Sequence, residues 1–201
     1  LAAGLGPTQE IYSIDESFID LQGVRGDLVK RGHAIRARIL QWTGIPCGIG
    51  IGATKTLAKL ANHIAKTAER KPGSYPADLA QVCNLAALPS SDLDDVLKVT
   101  AATEVWGVGR RIGAQLAEVG VCNVLDLVRM DPVVARRRWS VVLERTVREL
   151  QGMPCIQLDD APAPKQQIAC TRSFGRAITD LSPLQEAVSM FATRAAEKLR
   201  E

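Results

Sequence analysis

An apolar stripe at helical spacing constrains the fold of this chain more than any other feature. Five apolar residues recur at positions i, i+3, i+4, i+7 and i+8 and predict a helix with one buried face: Leu57, Leu60, Ala61, Ile64 and Ala65. Polar and basic residues at similar spacing form a second face: Lys55, Lys59, Asn62 and Lys66. Thr54 is suited to cap the helix N-terminus. Such a helix must pack against another layer of structure.

Short strand-like segments precede this helix. Residues 11–14 and 18–21 are rich in β-prone side chains and flank Asp15-Glu16-Ser17, which predicts a hairpin or a bend at a strand end. A helix is expected over residues 26–42 and a strand over residues 47–51. Two strands, a helix, a strand and a helix in this order indicate an α/β or α+β fold.

The remainder of the chain is predicted to be mainly helical. Residues 75–104 indicate a connection with a short helix after Ser91. Asn123 and Asp131 are predicted to cap two later helices, and a last helix is predicted over residues 140–150. Proline-rich composition predicts a linker over residues 153–165. A strand over residues 167–174 and an amphipathic helix from Ser182 follow. Because the chain begins without methionine and ends within a helical pattern, we expect it to be a piece of a longer protein.

Composition excludes several classes of protein. With 46% hydrophobic residues the chain is not disordered by default, and no apolar run approaches the ~18 residues of a membrane span. The five cysteines form no C-x-x-C pair and argue against a structural zinc site. Free thiols and the lack of a signal peptide indicate the cytoplasm. The net charge is +4 over residues 1–74, −4 over 75–104 and +3 over 105–150, which suggests local basic patches.

The adjacent carboxylates Asp15 and Glu16 are the sharpest candidates for chemistry. Like charges this close repel, and a bound Mg²⁺, which prefers oxygen ligands, would offset the repulsion. Lys55, Lys59 and Lys66 follow on one helix and are able to contact phosphates. Carboxylates that bind a metal and a basic helix are the two charge types that phosphoryl transfer requires. A solvated acidic turn and a solvated helix face explain the same residues, and local sequence alone favours them.

Two glycine-rich segments allow further interpretations. Residues 48–53, G-I-G-I-G-A, fit the form of a dinucleotide fingerprint, but the glycines fall within the predicted strand, which favours close backbone packing. A dinucleotide-binding enzyme is therefore a weak alternative. Gly107-Val108-Gly109 followed by Arg110 and Arg111 predicts a tight turn whose backbone N–H groups and arginines contact phosphate. The sequence of this turn is compatible both with an ordinary helical hairpin and with a non-catalytic DNA-binding module.

Several ordered motifs together resemble a known family. Residues 12–18, Y-S-I-D-E-S-F, closely resemble the Y-S-I-D-E-A-F motif of the Y-family translesion DNA polymerases. Residues 48–62 resemble the next motif of that family, and residues 105–111, V-W-G-V-G-R-R, look like its thumb helix-hairpin-helix. Residues 141–150 and 165–174 are especially similar to the UmuC branch of the family. The likeness covers residues 10–201. Ser17 replaces the alanine of the family motif.

The resemblance implies an α+β fold with three parts. Residues 1–74 would be the C-terminal part of a palm, 75–152 a helical thumb, and 166–201 the start of a little finger after the linker. Asp15 and Glu16 would hold catalytic Mg²⁺ ions, and Lys66 and Lys59 would lie at the incoming deoxynucleoside triphosphate. Residues at the thumb turn and in the little finger would contact template-primer DNA: Gly107, Gly109, Arg110, Arg111 and Arg172.

The resemblance also implies an activity and partners. The parent protein would be an error-prone polymerase that extends primers opposite damaged template in an SOS-type response. A UmuD′-type dimer and a RecA filament would be its protein partners, with no membrane involved. The family's first metal-binding aspartate falls before Leu1, so we expect the 201-residue chain alone to be inactive.

Overall fold

A computed structural model of the chain describes residues 5–159 and 167–200. It divides into two compact units, Leu1–Asp160 and Ala161–Glu201. The predicted palm and thumb segments both lie in the first unit. Residues 160–165 of the predicted linker, and residue 166 at the predicted start of the little finger, lie outside the described residues. The domain boundaries inferred from the resemblance stay predictions.

The first unit begins with the predicted hairpin. Strands β1 (Gln9–Ile11) and β2 (Ser17–Ile19) pair antiparallel, with Glu10 opposite Phe18. Strand β1 shares only Ile11 with the predicted segment 11–14, because the turn starts earlier, and β2 begins one residue before the predicted segment 18–21 and ends two residues before its end. The backbone N–H groups of Tyr12 and Ser13 both donate to the carbonyl oxygen of Glu16, at 3.0 and 3.1 Å. The turn therefore includes residues that the sequence assigned to the first strand.

A parallel strand pair and two helices follow. Helix α1 (Leu28–Thr43) leads to strand β3 (Ile49–Ile51), which pairs with β4 (Val82–Asn84). Helix α2 (Lys55–Arg70) packs on β3, and Thr54 caps it as predicted. The sequence does not predict β4, because this strand lies in the acidic segment 75–104, whose composition indicates a connection. The α+β class is confirmed, and the strands within the described residues form two separate two-stranded sheets.

Glycine allows the close contact between β3 and α2. A Cβ atom on Gly50 would lie 2.1 Å from the backbone nitrogen of Asn62 and 2.2 Å from the carbonyl oxygen of Ala58. Such distances are impossible without moving the helix backbone. Packing between strand and helix thus explains this glycine without a bound dinucleotide.

Five further α-helices lie in the described part of the first unit: α3 (Ser90–Val99), α4 (Arg110–Ala117), α5 (Val124–Val128), α6 (Pro132–Arg138) and α7 (Val141–Leu150). The predicted caps Asn123 and Asp131 each accept a backbone N–H at a helix start. Ser140, the predicted start of the last helix, is its N-cap and accepts the backbone N–H of Leu143. Side chains from α2 and these helices share one hydrophobic core, which includes Leu60, Ile64, Leu116, Leu127 and Leu143.

The second unit contains α8 (Leu181–Arg200), which begins one residue before the predicted start. The predicted strand over residues 167–174 is wrong, since the structure assigns no regular element to described residues 167–180. A strand needs a partner to satisfy its backbone, and the described part of this unit offers none. In both units, no described helix is long and apolar enough to span a bilayer.

Candidate active site

The turn between β1 and β2 presents the two acids. Ser13 Oγ accepts the backbone N–H groups of Asp15 and Glu16, at 3.4 and 3.2 Å, and donates to Asp15 Oδ1 at 2.8 Å. A hydroxyl that bonds the backbone two and three residues ahead is a typical turn device. Asp15 is exposed and Glu16 is half-buried. The bent backbone thus carries both carboxylates on one turn, which a regular strand would direct to opposite faces.

Helix α2 brings a lysine to this turn. Lys59 Nζ lies 2.8 Å from Glu16 Oε2. The same ammonium lies 4.5 Å from the ring centroid of Tyr12 and 5.4 Å from that of Trp106. Cations are attracted to aromatic faces at such distances. The predicted acid turn and basic helix therefore meet directly, through Glu16 and Lys59.

The Lys55 side chain has a different role from the one the sequence indicated. It is buried, and its Nζ donates to both carboxylate oxygens of Glu10, at 2.8 and 2.6 Å, and to the carbonyl oxygen of Gln157 at 3.3 Å. The ammonium also lies 4.7 Å from the Phe18 ring centroid. The prediction that Lys55 lies on a phosphate-binding face is therefore wrong, because its charge is neutralised in a buried ion pair.

The carboxylate of Glu10 is held in its charged form. Burial alone raises the pKa of this group, but hydrogen bonds from Lys55 and from the backbone N–H of Asp159 outweigh burial, so the pKa lies below its ordinary value. The pair attaches β1 to α2. It fixes the hairpin that carries the acids against the helix that carries Lys59. No sequence pattern had identified Glu10.

The Lys66 side chain lies two helical turns beyond Lys59, beside the start of β3. It is half-buried, and a Cβ atom on Gly48 would lie 2.8 Å from its Cγ. Among the salt bridges of residues 5–159, Lys66 pairs with neither acid of the turn. The structure thus places Lys66 on the same helix face as Lys59, and its contact with a triphosphate stays a prediction.

A buried acid anchors the N-terminus of α2. Glu149 is fully buried, and its carboxylate accepts the backbone N–H groups of Thr56, Cys155 and Ile156 at 3.0, 2.6 and 3.0 Å. Thr54 Oγ1 donates to the carbonyl oxygen of Glu149 at 2.9 Å. Carboxylates at helix N-termini are stabilised by the unpaired N–H groups there. Sequence analysis missed Glu149, which falls within an ordinary amphipathic helix.

The predicted DNA-binding turn precedes α4. Gly107 has a φ of 89°, a left-handed conformation that favours glycine. Gly109 is the N-cap, and a Cβ atom there would meet nothing within 4 Å, so the backbone is open to an approaching group. Arg110 and Arg111 are exposed, and neither forms a salt bridge within residues 5–159. Their role in DNA binding stays a prediction.

An aromatic cluster joins this turn to the acids. Trp106, immediately before Gly107, packs edge-to-face on Tyr12 with ring centroids 5.4 Å apart and lies 6.3 Å from the Phe18 centroid. Tyr12 and Phe18 are themselves 5.6 Å apart. Two predicted functional segments that are distant in sequence are thus neighbours within the first unit. Arg172, the other predicted DNA contact, is exposed in the second unit.

Comparisons with known proteins identify relatives along the whole chain. The model of the impB/mucB/samB family matches residues 2–63, and that of the impB/mucB/samB family C-terminal domain matches residues 165–201. Protein UmuC of Salmonella typhimurium is 46% identical over 96% of this chain and 44% of its own length. DNA polymerase IV of Moorella thermoacetica is 26% identical over 86% of this chain and 39% of its own length.

A solved structure shares the fold. The insertion ternary complex of Dbh DNA polymerase matches with a TM-score of 0.53 at 19% identity, over 73% of this chain and 40% of that one. At this identity the likeness shows the fold alone. The chain spans less than half the length of the curated relatives named above.

Proposed function

Because this chain belongs to the impB/mucB/samB family, we propose that it forms part of an error-prone translesion DNA polymerase. Such an enzyme adds deoxynucleotides to a primer 3′ end opposite damaged template, by two-metal phosphoryl transfer in an SOS-type response. The names of the relatives, Protein UmuC and DNA polymerase IV, support this proposal. They do so for proteins of more than twice this length, so the activity belongs to the whole protein.

The observation that carries the proposal is the contact between Glu16 and Lys59. It brings an exposed acid turn and a basic helix to one place, at 2.8 Å between Nζ and Oε2. Phosphoryl transfer needs negative ligands for a metal and positive groups for the phosphates. An acid turn distant from α2 would not have brought these two kinds of charge to one place.

The acids fit Mg²⁺ as part of a ligand set. The described residues contain no cluster of three His, Cys, Asp or Glu side chains able to hold a metal. Mg²⁺ commonly takes one or two carboxylates together with substrate phosphates and water. Asp15, which is exposed with its carboxylate bonded to the Ser13 hydroxyl, and Glu16 suit that arrangement with a nucleotide present. Bound Mg²⁺ would supply positive charge to the attacking and leaving oxygens.

The other residues would bind and orient the substrates. Lys66 and Lys59 would contact the triphosphate, and Glu16 would complete the metal site or help to activate the primer hydroxyl. The open backbone at Gly109 and the exposed Arg110 would hold the DNA backbone without sequence preference, as a polymerase requires. A UmuD′-type dimer and a RecA filament are proposed partners on the similarity to Protein UmuC, and the cytoplasm is the proposed location.

The proposal is tested by primer extension. The 201 residues replace the matching segment of Salmonella typhimurium UmuC, and the chimera is assayed with damaged template. Asp15→Ala should abolish Mg²⁺-dependent extension while DNA binding survives, because it removes a metal ligand and no DNA contact. Asp95→Ala, an exposed acid on α3, is the matched control and should leave extension unchanged. Retained extension in Asp15→Ala would remove this residue from the metal site.

A DNA-binding module without catalysis is the second candidate, favoured by the exposed Arg110 and Arg111 at the start of α4. It predicts duplex binding that weakens as salt rises and that Arg110→Ala and Arg111→Ala reduce. The polymerase proposal predicts the same binding. The two are separated by the chimera, since a segment that merely binds DNA supplies no metal ligands and the chimera that carries it would give no extension. We also expect the chain assayed alone to give no extension.

A further inference from the structure

The Glu16–Lys59 pair differs from the other lysine–glutamate pair on α2. Lys55 and Lys59 lie one helical turn apart, and each ammonium meets a carboxylate and an aromatic face. The Lys55 side chain is 9% exposed and bonds both Glu10 oxygens and a backbone carbonyl oxygen. The Lys59 side chain is 21% exposed and bonds one oxygen of Glu16, whose side chain is 33% exposed. The first pair is structural, whereas the second is open to exchange with solvent.

We propose that Lys59 is the resident counter-ion of the acid turn, which a divalent cation displaces when it binds Glu16. This inference rests on the proposed magnesium site at Asp15 and Glu16. Without metal, the ammonium neutralises Glu16 and offsets its repulsion with Asp15. A metal ion at the Glu16 carboxylate repels an ammonium that lies 2.8 Å from the same group, so the two cations compete for it.

In the proposed reaction, the phosphates of the nucleotide are new partners for the released Lys59 ammonium. The faces of Tyr12 and Trp106 attract a cation but accept no strong hydrogen bond, so they leave the three donors of Lys59 without a carboxylate partner. Phosphate oxygens are strong acceptors for such a group. With a nucleotide and its metal bound, Glu16 would hold the metal and Lys59 would bind the phosphates. The acid turn stays electrically balanced in both states.

The sign of the effect distinguishes this role from a merely structural one. If Lys59 competes with the metal, its removal tightens divalent cation binding, since a nearby positive charge is lost. If Lys59 merely holds the turn in shape, its removal weakens binding or leaves it unchanged. Near the protein surface, the loss of one unit charge at such short range is expected to tighten binding about tenfold.

The test measures Mg²⁺ binding by the full 201-residue chain. Occupancy is followed by competition against Mn²⁺, whose free form is read by electron paramagnetic resonance. The environment of the Trp106 ring, which lies against Lys59, is followed by ¹⁹F resonances of 5-fluorotryptophan, with the Trp106 signal assigned by Trp106→Phe. We expect Mg²⁺ to shift the Trp106 signal, and Lys59→Met to tighten binding about tenfold. Lys59→Gln repeats the charge loss with a polar side chain in case Lys59→Met folds poorly.

Two control variants distinguish an effect of the lost charge from an effect on the fold. Lys59→Arg retains the cation and should bind Mg²⁺ within about twofold of the parent chain. Arg70→Met removes the same unit charge at the far end of α2, about 16 Å along the helix from Lys59, and should also have no effect. Circular dichroism verifies that each variant retains its helices.

The outcomes separate this inference from the proposed function. If Glu16→Gln abolishes divalent binding but Lys59→Met and Lys59→Gln fail to tighten it, the counter-ion role is wrong and the magnesium site stands. If the Trp106 signal does not shift when Mg²⁺ binds, the proposed release of Lys59 from the Tyr12 and Trp106 rings is also wrong. If divalent cation binding is unchanged in Asp15→Asn and Glu16→Gln, both the magnesium site and the counter-ion role fail.

Discussion

Removing the Glu149 carboxylate should strongly destabilise the first unit. This side chain is fully buried and accepts three backbone N–H groups, from Thr56 at the start of α2 and from Cys155 and Ile156 after α7. Glu149→Ala leaves all three donors without their acceptor, and Glu149→Gln replaces one oxygen by an amide that itself donates. Both variants loosen the N-terminus of the helix that carries Lys59.

The size of the loss follows from these bonds. Each buried polar group left unpaired costs about 1–3 kcal/mol, and water that enters the space recovers part of it. Three donors therefore give a loss of about 3–5 kcal/mol in the free energy of unfolding for Glu149→Ala. The glutamine oxygen can still accept the two donors that share Oε1. Its amide group, however, would face the N–H of Thr56, so that two donors meet without an acceptor. Glu149→Gln should therefore lose about 2–3 kcal/mol in the free energy of unfolding.

Urea unfolding followed by tryptophan fluorescence is the appropriate assay. All three tryptophans, Trp42, Trp106 and Trp139, lie in the first unit, so the signal reports that unit. Glu118→Gln, an exposed glutamate at the end of α4, is the matched control and should change stability by less than about 0.5 kcal/mol. A loss below about 1 kcal/mol for Glu149→Ala would refute the assignment of this carboxylate as the anchor of α2.

Three further predictions concern strain, burial and pH. Gln81 has a φ of 71°, so Gln81→Gly should stabilise the chain by up to about 1 kcal/mol in urea unfolding, whereas Gln81→Ala keeps the strain and gains nothing. Burial, with a smaller contribution from Asp78, raises the pKa of Cys83 to about 12, so iodoacetamide at pH ~8 should label the exposed Cys122 and spare Cys83 in mass spectra. The lowered pKa of Glu10 contributes stability that is present above the ordinary glutamate pKa and is lost as pH falls through the folded value; Glu10→Gln should abolish this acid-dependent loss in pH-dependent unfolding.

Local signals in the sequence predicted much of the fold. The stripe of α2 and the caps at Thr54, Asn123 and Asp131 depend on residues within one or two turns, and the structure confirms them. Strand β4 could not be found this way, because its three residues are defined by pairing with distant β3. The predicted strand over residues 167–174 failed for the converse reason, since β-prone residues form no strand without a partner.

The candidate site was predictable where chemistry is carried by adjacent residues. The acids at Asp15 and Glu16 and the lysines of α2 were visible as motifs, but periodicity alone could not distinguish Lys55 from Lys59. The two lysines differ because Glu10 and residues after α7 cover Lys55, whereas the Lys59 side chain stays partly exposed. Burial of this kind is a tertiary property that helical spacing does not encode.

The aromatic contact between Tyr12 and Trp106 bears on the choice between the two candidate functions. Tyr12 leads into the acid turn, and Trp106 leads into the turn that ends with Gly109 and Arg110, so the ring pair holds the two turns together. Lys59, which lies against both rings, connects the same pair to Glu16. A module that merely binds DNA gains nothing from a carboxylate turn held beside its backbone-binding turn, since carboxylates repel phosphates. An enzyme that joins a nucleotide to a primer needs this juxtaposition, and the metal it would bring turns the repulsion into attraction.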